Sequence, residues 1–401
     1  MDANEFVLLA SPDAQTLLRE VAASDSADLV ALVSRLRGAG YEPALVAAVL
    51  TQVKLRRRAQ AKFGAFADRM LFTEAGLEQA SRLSVAALHA QRFRGAQVAR
   101  VADLGCGIGA ESMSLAALDL QVDAYEHDPV TAAVATYNLA PFENAKVFAQ
   151  DVTELEFGAF DGLFFDPARR EAGSSAKARG SRKFDPSQFS PALDWVFEVI
   201  GEHPAGIKLG PGHPHDGISA EAEAQWVSVD GDLVECSLWF NSLARAEVRR
   251  SALLVTPSGR FELTASTADY APAPMTGLGD YLYEPDNAVI RSHLIGLIAE
   301  QTETGLISPE IAYLSGNQPI ESPWLRGFKV LDDLPFDRKN LRAYLRERNV
   351  GTLEIKKRGS DVVPEQLRKE LKPKGDNALT LIITRVGDAH RALIAEPLVR
   401  T

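Results

Sequence analysis

The sequence predicts an α/β protein built on a Rossmann-like sheet, parallel with an antiparallel edge hairpin. A helical region precedes the sheet and a small α+β unit follows it. Three observations carry this prediction. Residues 1–95 repeat apolar side chains at helical spacing. Between about residues 98 and 209, short apolar runs alternate with helical stretches, the pattern of a parallel sheet covered by helices on both faces. The first of those runs ends in a glycine turn, Gly105-Cys106-Gly107-Ile108-Gly109.

The elements follow in order. Helical periodicity runs over 17–36 and 45–55, with Gly38 and Gly40 at the join, and a third helix spans 73–93 with Thr73 as its N-cap. The strand 98–104 leads through the glycine turn to a helix over 111–118. Next come a strand at 122–126, a helix at 130–139, strands at 146–149 and 162–166, a helix at 191–200 and a strand at 206–209. Runs at 233–240 and 248–255, with little helix between them, are expected to pair as the antiparallel edge hairpin. Residues 266–323 are rich in Pro, Gly, Asp and Thr and read as a connector with one helix at 289–299. In the last segment, 341–348 and 365–371 look helical and 352–355 and 379–385 look extended. The expected division is therefore 1–95, 96–265, 266–323 and 324–401, in keeping with a length of 401 residues, beyond what one core usually fills.

Composition narrows the function classes. Hydrophobic residues make up 46% and charged residues 24%, which fits a globular chain rather than a disordered one. A net charge of −11 disfavours indiscriminate binding to nucleic acid, so any such contact must use local basic segments. Cys106 and Cys236 form no CxxC pair, which leaves no disulfide framework or zinc site and points to a reducing compartment. The acidic start, with no basic segment before an apolar run, and the lack of a long apolar stretch suggest a cytoplasmic protein without a membrane span. His213 and His215, two apart in a Pro/Gly loop near Asp216, read as loop residues, and no metal is expected.

The glycine turn carries the chemistry. Gly105, Gly107 and Gly109 allow close approach of a ligand and positive backbone dihedrals, and the helix start offers unpaired amides. A pyrophosphate site would want the same glycines, with Ala110 in third place. Asp103 separates the two readings, because a carboxylate at the strand end repels a pyrophosphate and suits a cationic amino-acid moiety. S-adenosyl-L-methionine carries such an ammonium. Glu126, about twenty residues after Gly105, stands where a carboxylate accepts bonds from ribose hydroxyls, with Asp128 as a substitute. Asp151 follows the third strand, at the position that commonly faces the adenine amino group in this fold, and Val152 would lie against the ring.

At this point the chain resembles the class I S-adenosylmethionine-dependent methyltransferases. Asp103-Leu104-Gly105-Cys106-Gly107-Ile108-Gly109 is similar to their first motif. Phe165-Asp166-Pro167-Ala168-Arg169-Arg170, Lys62-Phe63-Gly64-Ala65-Phe66, Leu77-Glu78-Gln79-Ala80 and Glu284-Pro285-Asp286-Asn287-Ala288-Val289-Ile290-Arg291 resemble a bacterial family of such enzymes that ends in a THUMP-like domain. Leu353-Glu354-Ile355-Lys356-Lys357-Arg358-Gly359 and Pro364-Glu365-Gln366-Leu367-Arg368-Lys369 resemble that ending, and the likeness covers most of the chain from about residue 55. It implies a methyl acceptor held at the end of the fourth strand, by Asp166 and Pro167. Amino-group methyltransferases usually carry a second proline and an aromatic residue there. This chain has Ala168 and Arg169 instead, so stacking would fall to the Arg169 guanidinium. Neither cysteine follows the fourth strand, which disfavours C5 methylation of a pyrimidine and leaves a nitrogen or oxygen acceptor.

Basic residues gather in three places. Lys54, Arg56, Arg57, Arg58, Lys62 and Arg69 lie in the helical region. Arg169, Arg170, Lys177, Arg179, Arg182 and Lys183 follow Asp166. Lys356, Lys357, Arg358, Arg368, Lys369, Lys372 and Lys374 lie near the C-terminus. These segments suit RNA, tRNA or rRNA, as a partner. The competing readings are a small-molecule methyltransferase, a non-catalytic cofactor-binding scaffold and a nicotinamide-dependent oxidoreductase. Asp103 opposes the last, and the retained glycines with Glu126 oppose the scaffold.

Overall fold

The computed structural model describes residues 1–23, 29–169 and 185–398. Two compact units divide the chain. The first comprises Met1–Leu209, His213–Ala222 and Ser237–Arg245, and the second comprises Gly210–Gly212, Glu223–Cys236 and Ala246–Thr401.

Among the described residues, the first unit opens with the helices α1 (Ala3–Ala10), α2 (Pro12–Ala23), α3 (Leu29–Gly38), α4 (Pro43–Phe63), α5 (Glu74–Gln79) and α6 (Leu83–Gly95). Local chemistry starts them. Asp2 accepts from the Glu5 amide, Pro43 stands in the first turn of α4, and Thr73 accepts from the Gly76 amide. Alternation of strand and helix follows: β1 (Arg100–Leu104), α7 (Ala110–Ala117), β2 (Gln121–Glu126), α8 (Pro129–Leu139), β3 (Ala145–Ala149), β4 (Gly162–Phe165), the short β5 (Ala168–Arg169) and β6 (Phe189–Ser190), α9 (Leu193–Ile200) and β7 (Ala205–Leu209). The sheet order is β7–β4–β1–β2–β3, and every one of these pairs is parallel. The order reverses between β1 and β4, which opens a crevice at their carboxyl ends. The glycine turn leaves β1 at that crevice and Asp166 leaves β4 there.

The opening helices belong to the same core as the sheet. One buried apolar cluster contains Leu17, Val49, Phe63 and Phe72 together with Val101, Ile108, Ala124 and Phe164. Asn138 of α8 is the polar joint. Its side chain accepts from the Leu71 amide at 2.8 Å and donates to the carbonyls of Leu71 at 3.0 Å and Ile108 at 2.9 Å.

In the second unit, β8 (Glu223–Val229) and β9 (Asp232–Phe240, whose last residues belong to the first unit) precede β10 (Arg250–Thr256) and β11 (Gly259–Ala265). An edge hairpin is present, but its strands differ from the pair expected at 233–240 and 248–255. β10 pairs antiparallel with β11 and parallel with β8. β8 escaped the sequence reading because Glu223, Gln225 and Ser228 interrupt its apolar run, although all seven of its residues are buried. Gln225 donates to Glu262 at 2.8 Å and Ser228 to Asp286 at 3.0 Å, which satisfies the side chains inside.

The rest of this unit is β12 (Tyr281–Pro285), α10 (Asn287–Arg291), α11 (Ile295–Gln301), β13 (Gly305–Ser308), β14 (Ile311–Gly316), β15 (Leu325–Pro335), α12 (Arg338–Glu347), β16 (Val350–Lys357), α13 (Pro364–Leu371), β17 (Asn377–Val386) and β18 (Ala389–Pro397). They include a seven-stranded sheet of order β13–β14–β12–β15–β18–β17–β16. The segment read as a connector thus supplies three of its strands. The helix expected at 289–299 is two helices, broken at His293, where φ is +61°. Alternation on β17 and β18 sorts the core. Leu381, Ile383, Ala392 and Ile394 meet Leu341 and Leu345 of α12 and Leu367 and Leu371 of α13, while Ile382, Leu393 and Ala395 face Phe328 and Tyr313.

Replacing Asn138 by Ala removes a partner from three buried backbone groups at once. We expect a loss of about 2–4 kcal/mol of stability, read as a lower urea midpoint for the first unit. A midpoint within error of wild type would contradict the role given to this joint.

Candidate active site

The turn after β1 is shaped by three glycines with positive φ: Gly105 at +94°, Gly107 at +55° and Gly109 at +90°. A Cβ on Gly105 would lie 2.9 Å from the carbonyl oxygen of Asp166, so the ends of β1 and β4 meet only because glycine stands there. A Cβ on Gly107 would meet nothing within 4 Å, which leaves the turn open on that side. The amides of Gly105 and Cys106 both donate to the Tyr125 carbonyl at 3.0 Å. Gly109 caps α7 without a side-chain bond, so the first amides of that helix face the turn without a side-chain acceptor from the cap.

Asp103 is fully buried beneath this turn. Its Oδ2 accepts from the Ser112 hydroxyl of α7, and its Oδ1 is buried with no hydrogen-bonding partner among the described residues. Burial pushes the Asp103 carboxyl up from 3.8 to about 7. The Ser112 bond opposes this, while Glu111 and Asp166 add to it. A cation delivered to Oδ1 would satisfy both the orphan atom and the charge.

Glu126, half-buried at the end of β2, accepts from the Gly107 amide at 3.0 Å and the Asp128 amide at 2.9 Å. Burial raises its pKa and those two bonds lower it. Asp128 is the N-cap of α8. It accepts from the Thr131 amide at 2.7 Å and hydroxyl at 2.8 Å, which hold its carboxyl below the usual range. Asp151, after β3, caps a short turn by accepting from the Thr153 amide and hydroxyl at 2.9 and 2.8 Å, and its pKa is lowered by them. Val152 beside it is buried.

Asp166 follows β4, with Pro167 buried behind it. Its Oδ2 lies 2.5 Å from the Lys208 ammonium of β7. Lys208 also donates to the Gln79 carbonyl at 3.2 Å. The sequence reading missed Lys208, because a lysine one residue before the end of a buried strand run carries no motif. Its only signal is position, two strand ends side by side in a parallel pair. The backbone of Arg169 forms β5 with Ala168, while the basic run 170–183 lies outside the described residues.

Several basic residues of the helical region are engaged by the protein itself. Arg56 is buried and donates to the Met70 carbonyl at 2.9 Å. Arg58 pairs with Glu74 and Glu78. Lys62 donates to the carbonyls of Leu77, Glu78 and Ala80 at 2.8, 2.8 and 2.7 Å. Burial, then the nearby charges of Lys208 and Arg82, push the Lys62 ammonium down to about 8. In the second unit, Lys356 and Arg358 pair with Glu284.

Comparison with known proteins places these features in a family. A methyltransferase small domain model matches residues 64–182, a THUMP domain-like model matches 325–397, and a domain of unknown function matches 2–59. Two relatives, from two strains of Mycobacterium tuberculosis, are each named an uncharacterised S-adenosylmethionine-dependent methyltransferase. They are 32% identical over 343 residues, which is 83% of this chain and 91% of each relative. The crystal structure of a candidate methyltransferase from Porphyromonas gingivalis has the same fold. Its TM-score is 0.73 at 19% identity, with 100% of both chains covered.

Asp103 generates a prediction of its own. Its folded pKa lies above its ordinary value, so the folded state binds the extra proton. That contribution to stability is full below about pH 4 and is lost as pH rises through about 7. Asp103→Asn keeps the shape and removes the charge. We expect the stability of the variant relative to wild type to rise between pH 4 and pH 7, measured by urea unfolding at each pH. Two parallel profiles would overturn the assignment.

Proposed function

This chain belongs to the S-adenosylmethionine-dependent methyltransferases, and from that premise we propose that it binds the cofactor across the ends of β1, β2 and β3 and methylates an RNA nucleotide held at the end of β4. The observation that carries the cofactor reading is the orphan Oδ1 of Asp103 beside a turn left open at Gly107. When bound, the cofactor supplies an electrophilic methyl group on a sulfonium.

In this reading, Asp103 accepts from the amino-acid ammonium while Ser112 holds its other oxygen. Gly105, Gly107 and Gly109 admit the ligand to the backbone. Glu126 receives the ribose hydroxyls. Asp128 is the less suited of the two, since its carboxylate is committed to starting α8. Asp151 and Val152 border the adenine. Asp166 and Pro167 orient the acceptor, with Arg169 as the stacking cation. A carboxylate paired with Lys208 suits accepting a hydrogen bond from an N–H more than removing a proton from a hydroxyl, which favours a nitrogen acceptor. Cys106 and Cys236 are both buried, and burial pushes both thiols up, which disfavours a cysteine nucleophile.

The RNA reading is supported by the THUMP-like match and by the distribution of exposed cations. Lys339, Arg342 and Arg346 lie on α12, and Arg368, Lys369, Lys372 and Lys374 lie on or just after α13, all exposed. On the first unit, Lys54 and Arg57 are exposed. In this reading these side chains, rather than Arg56, Lys62, Lys356 and Arg358, meet the phosphates.

Asp103→Ala should lower the affinity for S-adenosylmethionine about ten- to a hundredfold in a calorimeter, since a charged bond contributes roughly 1.5–3 kcal/mol. Unchanged affinity in a folded variant would refute the site. Asp166→Ala should bind the cofactor as wild type does yet fail to transfer methyl-labelled groups to total RNA from a strain lacking this gene. Nuclease digestion of labelled RNA should yield a base methylated on nitrogen. Cofactor binding without label in RNA would move the acceptor to a small molecule or a protein.

A further inference from the structure

We propose that Lys208 is a positioning residue of the transfer site, fixing the Asp166 carboxylate at the end of β4 and tying it to the turn at residues 77–80. This rests on the methyltransferase reading above and adds a residue that no motif marks.

The placement follows from register. Phe165 of β4 stands opposite Ile207 of β7, so the next residues, Asp166 and Lys208, emerge side by side at the carboxyl edge of a parallel pair. The lysine side chain is mostly buried, 12% exposed against 30% for Asp166. Its ammonium bridges the Asp166 carboxylate at 2.5 Å and the Gln79 carbonyl at 3.2 Å.

Lys62 completes the arrangement from the other side. It takes the carbonyls of Leu77, Glu78 and Ala80 and leaves that of Gln79 to Lys208. Four consecutive carbonyls at the end of α5 are therefore held by two ammonium groups. The same α5 touches the cofactor turn, because a Cβ on Gly76 would lie 2.4 Å from the Ile108 side chain. Lys208 thus joins the acceptor carboxylate to a segment built against the cofactor loop. A chain of contacts of this kind holds a reacting pair in line, and methyl transfer depends mostly on alignment.

Wild type, Lys208→Met and Lys208→Arg would be compared in three ways: calorimetry with S-adenosylmethionine, methyl transfer to total RNA from a strain lacking this gene, and NMR of the Asp166 carboxyl carbon together with amide exchange at residues 77–81. We expect Lys208→Met to bind the cofactor within about threefold of wild type. Its kcat should fall about a hundredfold with KM little changed, the cost of a misplacement near 1 Å. The Asp166 resonance should shift and exchange at residues 77–81 should quicken, and Lys208→Arg should restore most of each. Lys208→Gln, which keeps a donor for the Gln79 carbonyl but no charge, serves where the Met variant does not fold.

Wild-type turnover in Lys208→Met would overturn the proposal, as would loss of cofactor binding in step with turnover. Protein that binds the cofactor but labels no RNA would overturn the acceptor reading alone. The resonance and exchange comparisons would then decide the role of Lys208, and wild-type values in the Met variant would end it.

Discussion

The close approach of two strand ends governs this protein's first unit. At Gly105 the backbone of β1 comes so near the Asp166 carbonyl that no side chain fits between them. The parallel order places β1 and β4 side by side at the point where the sheet reverses direction. Glycine turns that geometry into a crevice, with the glycine turn on one lip and the Asp166 carboxylate on the other. A larger residue would push the lips apart.

That crevice concentrates negative charge where little water reaches. Glu111 and Asp166 each raise the Asp103 pKa, and Lys208 lowers it. The Asp103 carboxyl sits near 7 because burial penalises its charged form. A cationic ligand repairs that penalty, whereas a pyrophosphate would deepen it. The opening helices serve this arrangement too, since Asn138 and Lys62 fasten the segment between α4 and α6 around the turn.

The second unit shows how misleading a count of basic residues is. Lys356 and Arg358 look like a nucleic-acid contact in the sequence, yet both pair with Glu284, some seventy residues earlier in the chain. The cations of α12 stay exposed because Leu341 and Leu345 turn the opposite face of that helix into the core. Amphipathic spacing, rather than local charge density, decides which cations face solvent.

The sequence by itself determined the sheet of the first unit and the residues around its glycine turn. Periodicity and glycine chemistry are local, and Asp103, Gly105, Gly107, Gly109 and Glu126 announce themselves within one β–α–β stretch. β8 and the strands within 281–316 were illegible. Their polar residues are satisfied by partners far along the chain, as Gln225 is by Glu262. Only the tertiary structure could reveal that Asp128 is a cap, that Arg56 and Lys62 serve the interior, and that Lys208 meets Asp166. Each of these depends on which backbone group or charge a side chain finds across space, and a buried polar group must find one.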